Sequence, residues 1–589
     1  MTQQRTGDRV PPAVGGIQVN FCKNPRCPNF GVPASTKRQP RGPGARKKGR
    51  DTYKIATSHG FKAPSLLCLY CHEYPGIKSN IGIYEEISRF LAYLAPPSPI
   101  TCPNENCQNH SVNPGQPEKR FQLFGKTRSG SQRFRCRVCK VTLSVGSPTN
   151  RQRVPHKNLI VFRLLMNKMP LRRICEVAGI SEETLYRKID FIHSQCVRFA
   201  GSRERALPER QIRRLYVGVD RQDYVVNWAS SADRRNVTLH AVAAADNTTG
   251  YVFGTHVNFD PSLSPIDIEG KVEAIGDYSA DPAFRRYARL WLAKDYIEAV
   301  QRSTAFNPLD FVTGSLMNNV AFAYREAAER SDTEVSEKQG EETMLPLSGM
   351  QIHAEYTLYG HFFFLRRLFE NVEKVRFFLD QESAIRAACL SAFCDRIKEG
   401  RCDAFYVRIK TDVTIDEKRR ILADSRRRFE TAKASHPALG DSQVKLLMIK
   451  GRLKELKSVG KWRDKWVKHP FPSMGEPEKA MCYLTDVQRY DEDHTAWLYS
   501  KASMHAVDRF FMQVRRRVSL LERPISTSSN IVRKWHGYAP YNPTMVAILL
   551  DIFRVFYNYV EVGKDKETPA MRLGLSKSRI DPGDILRYQ

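Results

Sequence analysis

The stretch RRLYVGVDRQDYVVNW, Arg213 to Trp228, decides the fold. Leu215, Val217 and Val219 alternate with Tyr216, Gly218 and Asp220 in the period-two pattern of a strand, and Tyr224, Val225 and Val226 prolong the apolar run. Asp220 therefore falls inside a hydrophobic strand. A carboxylate there is costly to desolvate unless it meets a cation, a hydrogen-bond donor or a metal. Taken alone, Asp220 reads equally well as the end of the strand at a turn. Two later acids tip the reading towards a site.

Downstream, the apolar run Asn236–Ala244, the polar turn Asp246-Asn247-Thr248-Thr249-Gly250 and the run Tyr251–Val257 predict a hairpin. Three antiparallel strands beginning with an acid-bearing one fit the opening of a ribonuclease-H-like sheet. Residues 260–350 read as an insertion, with a helix-like Phe284–Arg302 and a polar, acidic stretch from Glu329 to Thr343. A long helix pattern, Gln351–Asn371, precedes the short strand Val375–Asp380, which ends in an acid. A helix over Ser383–Lys398 and a strand over Ala404–Ile409 follow, which sets Asp380 at a strand tip.

Charged helices over Ile415–Ala434 and Ser442–Lys457 then interrupt the sheet pattern, the first opened by Thr414 and Glu417 at capping-box spacing. Trp462 and Trp466 read as packing, with stacking on an exposed base as the alternative. Met481–Val487 is a strand that closes the interruption. Trp497–Leu521 reads as one basic amphipathic helix, on which Asp508 and Arg515 lie two turns apart on one face. Glu522 and Asp551 are rivals for the third acid. Glu522 lies at a helix end beside Arg523-Pro524 and Asp551 on a later helix, so Asp508 is preferred.

At 589 residues the chain exceeds one core. Its 93 Lys plus Arg against 63 Asp plus Glu give a net charge of +30, which draws polyanions, nucleic acid first. No charge-free apolar run has spanning length: 544–560 comes closest, but Asp551 and Arg554 interrupt it. Met1–Pro12 lacks the apolar centre of a secretory signal, so a cytoplasmic location is expected.

Eight of the 14 cysteines precede residue 140, in two sets of C-x4-C, spacer, C-x2-C: Cys22, Cys27, Cys68, Cys71, then Cys102, Cys107, Cys136, Cys139. Four thiolates so spaced can close a tetrahedral zinc site. Pro28-Asn29 and Val32-Pro33 echo Gln108-Asn109 and Val112-Asn113-Pro114, which marks an internal repeat. His72 and His110 are loop residues or substitute ligands. The basic run Lys37–Arg50 is a solvated loop or a phosphate-binding arm, and Ile83–Leu94 a helix joining the ribbons.

After the second ribbon, PLRRICEVAGISEETLYRKIDFI (Pro170–Ile192) has the helix, Gly-containing turn and second helix of a helix-turn-helix, with Ser181 as cap of a helix that runs through Phe191. Glu182, Thr184, Arg187 and Lys188 are then the exposed, DNA-facing positions. An ordinary helical hairpin is the alternative. Ser202–Arg214 reads as a polar linker.

Zinc ribbon, helix-turn-helix, Asp220 strand, Asp380 strand, the helix HAVDRFFMQVRRRVSLLER, the helix NPTMVAILLDIFRVFYNYV and the tail ETPAMRLGL together resemble bacterial insertion-sequence transposases of the DDE class. The likeness covers about two thirds of the chain and departs where such proteins commonly carry Glu and this one has Asp508. The resemblance implies a multidomain α+β and α/β protein. With the insertions at 260–350 and 411–500 outside the likeness, the expected parts of the chain are a first zinc ribbon (18–80), a second (98–150), a helix-turn-helix (151–201), a ribonuclease-H-like mixed-sheet core (212–410, with the 260–350 insertion), an insertion domain (411–480), the rest of the core (481–562) and a tail (563–589). It implies catalysis by Asp220, Asp380 and Asp508 with Mg²⁺ or Mn²⁺, phosphate contact by Arg515, and structural Zn²⁺ on the eight cysteines. The expected partners are double-stranded DNA, both element ends and target, and a second copy of the chain in a homodimer or higher oligomer at the nucleoid. A domesticated, inactive DNA-binding regulator and a structure-selective nuclease are the alternatives.

Overall fold

A computed structural model of the chain describes residues 8–37, 52–57, 64–96, 101–110, 120–127, 132–145, 148–149, 152–227, 236–302, 315–329, 345–410, 413–460, 462–522 and 542–588. The basic run from Lys37 and the acidic stretch after Glu329 lie almost wholly outside these residues. The chain divides into two compact units. One comprises Met1–Phe90, Glu209–Met512 and Ala539–Ala547; the other comprises Leu91–Pro208, Gln513–Tyr538 and Ile548–Gln589.

The first unit is built on an eight-stranded mixed sheet. Its strands along the chain are β1 (Ile212–Asn227), β2 (Asn236–Asp246), β3 (Val252–Val257), β4 (Val372–Asp380), β5 (Cys402–Lys410), β6 (Lys457–Val459), β7 (Asp464–Lys468) and β8 (Glu478–Tyr483), and their spatial order is β6-β7-β8-β5-β4-β1-β2-β3. β1, β2 and β3 form an antiparallel meander. β4 then joins β1 in parallel and β5 joins β4 in parallel, whereas β8 pairs antiparallel with β5. The apolar content of β1, β4 and β5 follows from this placement, because central strands are covered on both faces. Val217, Val219, Phe377, Phe378 and Phe405 are all fully buried.

The helices Ala354–Leu368 and Ser383–Ala392 bring Phe362 and Phe393 edge-on to Phe377. Within this core His361 is buried, its Nδ1 2.8 Å from Nδ1 of His256. Burial lowers His361 to about 3, and burial together with the nearby Lys479 lowers His469 likewise to about 3. Both are neutral when folded and take up protons on unfolding below pH ~6.5. They therefore stabilise the fold fully above that pH, and the contribution is lost as pH falls from there towards 3. Each should add about 1.4 kcal/mol per pH unit to the slope of stability in that window. Urea titrations of His361→Gln should give a slope shallower than the parent by about that amount.

Several elements differ from the sequence reading. The basic helix expected over Trp497–Leu521 is two helices, Glu492–Lys501 and His505–Arg517. Ala502 is diverted between them, its carbonyl accepting from Lys479 at 2.7 Å. The 411–480 insertion is not a separate domain, because β6 and β7 extend the main sheet beyond β8. Trp466 is fully buried there, stacked on Tyr406 and donating to the Tyr324 hydroxyl at 3.1 Å, which makes it packing. The helix expected over Phe284–Arg302 starts only at Ala293, since Leu290 bridges to Ile352.

In the second unit, helices Asn158–Leu165, Leu171–Ala178 and Glu182–Glu204 pack together with the C-terminal Pro582–Leu586, and Phe162 and Phe199 of the first and third meet Phe556 and Tyr559 of Thr544–Tyr559 edge-on. Gly179 takes φ +57° between the second and third helices, and Ser181 caps the third by accepting from the Thr184 N–H at 3.3 Å. That helix runs 13 residues past Phe191 and absorbs the start of the expected linker, because Ile192, Cys196 and Phe199 keep one face buried. Lys188 is a further correction. It is buried, not exposed, and its ammonium donates to the carbonyls of Arg153 (3.1 Å) and Val154 (3.0 Å) and to Asn158 Oδ1 (2.6 Å). A long hydrocarbon stem that turns inward to buried acceptors satisfies its own charge there.

Candidate active site and metal centres

Adjacent parallel strands bring two of the acids side by side. β4 pairs with β1 through Phe378↔Gly218 and Leu379↔Val219, so Asp380 and Asp220 are the next residues along neighbouring strands, on the face shared by Phe378 and Gly218. Strand spacing sets their backbones about 4.8 Å apart.

The third acid arrives on the helix His505–Arg517, whose first turn lies over the same face. A Cβ on Gly218 would meet Val507 Cγ1 at 3.3 Å, so the missing side chain lets the helix approach. Asn247, from the β2–β3 turn, holds the helix start from both sides: its amide donates to Ser503 O at 2.7 Å and its oxygen accepts from the Ala506 N–H at 3.2 Å. Glu476 accepts from the Met504 N–H at 2.8 Å and from the Ser503 hydroxyl at 2.5 Å, and pairs with Lys479 at 2.7 Å.

Burial raises the Asp220 carboxyl well above the ordinary carboxylate range, and the charges of Asp380, Asp508 and Glu382 raise it further against one backbone donor, the Arg221 N–H at 2.7 Å. Asp220, Asp380 and Asp508 each keep partial exposure, so the cluster opens to solvent. Glu382 and Arg221 went unnoticed in the sequence. Their guanidinium–carboxylate contact is 2.8 Å, and Arg221 reaches Asp223 at 3.5 Å, which itself accepts from His240 at 2.7 Å. The signal available was Asp380-x-Glu382, a second acid just past the strand tip.

The rival acids are engaged elsewhere, within the second unit. Glu522 pairs with Lys168 at 2.8 Å, and Asp551 with His193 at 3.0 Å. Arg515 lies seven residues after Asp508 on the same helix. Of the positions assigned to DNA on the third helix of the second unit, Glu182 and Arg187 are exposed, Arg187 pairing with Glu183 at 2.6 Å, while Thr184 is half-buried with its hydroxyl 2.9 Å from that of Ser181.

No protein-family model matches the chain, and no curated protein or solved structure does so either.

Among the described residues, two groups bring ligand atoms within 4.8 Å of one another: Cys22, Cys27, Cys68 and Cys71, and Cys102, Cys107, Cys136 and Cys139. The first group has Sγ–Sγ distances of 3.4 Å (Cys22–Cys71) and 3.7 Å (Cys27–Cys68). The second has 3.2 Å (Cys102–Cys139) and 3.7 Å (Cys107–Cys136). A tetrahedron of sulfurs about 2.3 Å from zinc has edges of about 3.8 Å, so both quartets could hold the ion. The repeat extends to the residues around the sulfurs. Asn29 Nδ2 donates to Cys68 Sγ, and Asn109 Nδ2 to Cys136 Sγ, each at 3.3 Å. His110 turns its Nδ1 to Cys102 O at 2.8 Å, and both quartets are complete without His72 or His110.

The surroundings of the two quartets differ. The first belongs to the sheet unit, where its apolar cluster takes in Ala283 and Phe284. Glu73, 7% exposed, accepts from the Lys23 N–H at 3.0 Å and from Cys22 Sγ at 3.3 Å. Lys78 pairs with Glu355 at 3.4 Å, the Ser79 N–H donates to Tyr356 at 3.1 Å, and Lys23 donates to Tyr359. The second quartet sits on its own small core of Phe121, Phe134 and Leu143.

Proposed function

We propose that this chain is a metal-dependent polynucleotidyl transferase, a DDE/DDD-type transposase that cuts DNA at element ends and joins the freed 3′-hydroxyl to a target. The observation that carries the reading is the placement of Asp220 beside Asp380 on adjacent strands, with the charges of Asp380 and Asp508 adding to burial in disfavouring ionisation of Asp220. Hard carboxylate oxygens are the ligands that Mg²⁺ or Mn²⁺ prefers. The meander β3-β2-β1 continued by parallel β4 and β5 supports a ribonuclease-H-like core. No helix among the described residues is long and apolar enough to cross a membrane.

When bound, the divalent ions activate the attacking oxygen and stabilise the leaving one. Asp220 and Asp380 would hold them between neighbouring strands, and Asp508 would complete the set from the helix. Arg221, whose backbone N–H donates to Asp220, is fixed by Glu382, and Arg515 would contact phosphate. The two zinc ribbons and the exposed Arg187 side of the third helix in the second unit would engage the element ends, with two copies of the chain joining two ends at the nucleoid.

The test uses labelled duplexes that carry the inverted repeats flanking the gene. With Mg²⁺, the parent chain should nick and join them, and Asp380→Ala should do neither. Cleavage unchanged in Asp380→Ala removes the site. Binding without cleavage returns the domesticated regulator, which the Asp at position 508 favours. Cutting of branched DNA without preference for the ends returns the nuclease.

A further inference from the structure

The two ribbons are one motif in two settings, and the difference points to a division of labour. The strands of the first, Tyr53–Thr57 and Pro64–Cys68, pair as a two-stranded sheet within the sheet unit, and their apolar cluster takes in Ala283 and Phe284. In the second, Phe121–Lys126, Gln132–Cys136 and Thr142–Val145 form a three-stranded antiparallel sheet. One of its faces carries Phe121, Phe134 and Leu143 onto the thiols. The other presents Gln122, Phe124, Arg133, Arg135, Thr142 and Ser144, of which Phe124 is 39% exposed. The guanidinium groups of Arg133 and Arg135 each stand 5.3 Å from the centre of the Phe124 ring.

Charge singles out the same place. From Lys119 to Cys175 the sequence has 15 Lys and Arg and no Asp or Glu. The ribbon therefore has no acid of its own in this stretch to pair with those cations. An aromatic ring flanked by guanidinium groups on an open sheet suits a flat partner with a negative backbone. An unpaired base can stack on the ring while its phosphates meet the arginines, whereas bases inside a duplex keep their faces covered.

We propose that this face of the second ribbon is a binding site for unpaired DNA, with Phe124 as stacking platform and Arg133 and Arg135 as phosphate contacts, and that the first ribbon has no such role. The proposal rests on the reading of the chain as a DNA-processing enzyme, and it assigns single-strand contact to a surface other than the helix-turn-helix.

The experiment is fluorescence anisotropy of labelled (dT)20 and of a 20-base-pair duplex with the full-length, zinc-loaded Asp380→Ala chain. Binding is thus read without cutting, and its outcome is separate from that of the cleavage test. Phe124→Ala should weaken (dT)20 about tenfold or more while weakening the duplex less. The double variant Arg133→Gln/Arg135→Gln should reduce the slope of log affinity against log salt for (dT)20 by about 1.4. A zinc content of two per chain and an unchanged circular dichroism spectrum establish that each variant is folded. Unchanged (dT)20 affinity in both variants overturns the proposal, as does a loss that falls equally on single strand and duplex, or a larger single-strand loss in Arg187→Gln.

Discussion

Asp508→Asn should lower Mg²⁺-dependent strand cleavage about a thousandfold or more, while Asp508→Glu stays within about tenfold of the parent. The amide keeps the shape of the side chain and removes its charge, which on the proposed mechanism would forfeit several kcal/mol of transition-state stabilisation, and each 1.4 kcal/mol is a factor of ten in rate. Glutamate restores the charge on an arm one methylene longer. The helix start is held by Asn247 and Glu476, so the longer arm must fit by rotamer choice. Glu522→Gln and Asp551→Asn serve as comparators, because Lys168 and His193 already engage those acids. Single-turnover cleavage of labelled duplex measures all four. Equal losses at Asp508 and Glu522 would remove Asp508 from the site.

The second large effect concerns zinc. Cys71→Ser and Cys139→Ser should each reduce the zinc content by one per chain, with unequal consequences. Binding of a structural zinc contributes about 10–16 kcal/mol of apparent free energy, comparable with the whole stability of a domain. At the first quartet that energy would hold Cys22 and Lys23 in place around buried Glu73, and with them the contacts of Lys78 and Ser79 to the helix that carries Tyr356. Cys71→Ser should thus lower the melting temperature of the sheet unit by about 10 °C or more and remove cleavage with it. Cys139→Ser should leave that transition where it was. Differential scanning calorimetry with zinc quantitation decides, and equal shifts in the two variants would refute the difference in roles.

The central strands and the positions of their acids are readable because buried parallel strands impose continuous apolar runs, within which Asp220 falls and at whose end Asp380 stands, at matching points of register. The cysteine quartets were readable because four ligands need fixed spacings. What stayed hidden depended on partners distant in sequence. The break at Ala502 follows from Lys479 and Glu476, more than 20 residues earlier, capturing backbone groups that a continuous helix would have used. Lys188 occupies a position that helical periodicity leaves open, and only the carbonyls of Arg153 and Val154 draw it in. β6 and β7 have three and five residues with three lysines between them, too short and too charged to display a period. Glu382 does not stand out in the sequence, because its partner Arg221 lies 161 positions away.

The two short strands beyond β8 carry a consequence for anyone seeking a minimal catalytic fragment. A sheet that ends on a three-residue strand bearing Lys457 offers little template to another chain, whereas β8 without β7 would expose a longer row of unpaired amides and carbonyls beside buried Met481 and Cys482. Trimming the segment before Glu478 would thus convert a protected border into an adhesive one. Solubility, before catalysis, would be the first property to fail.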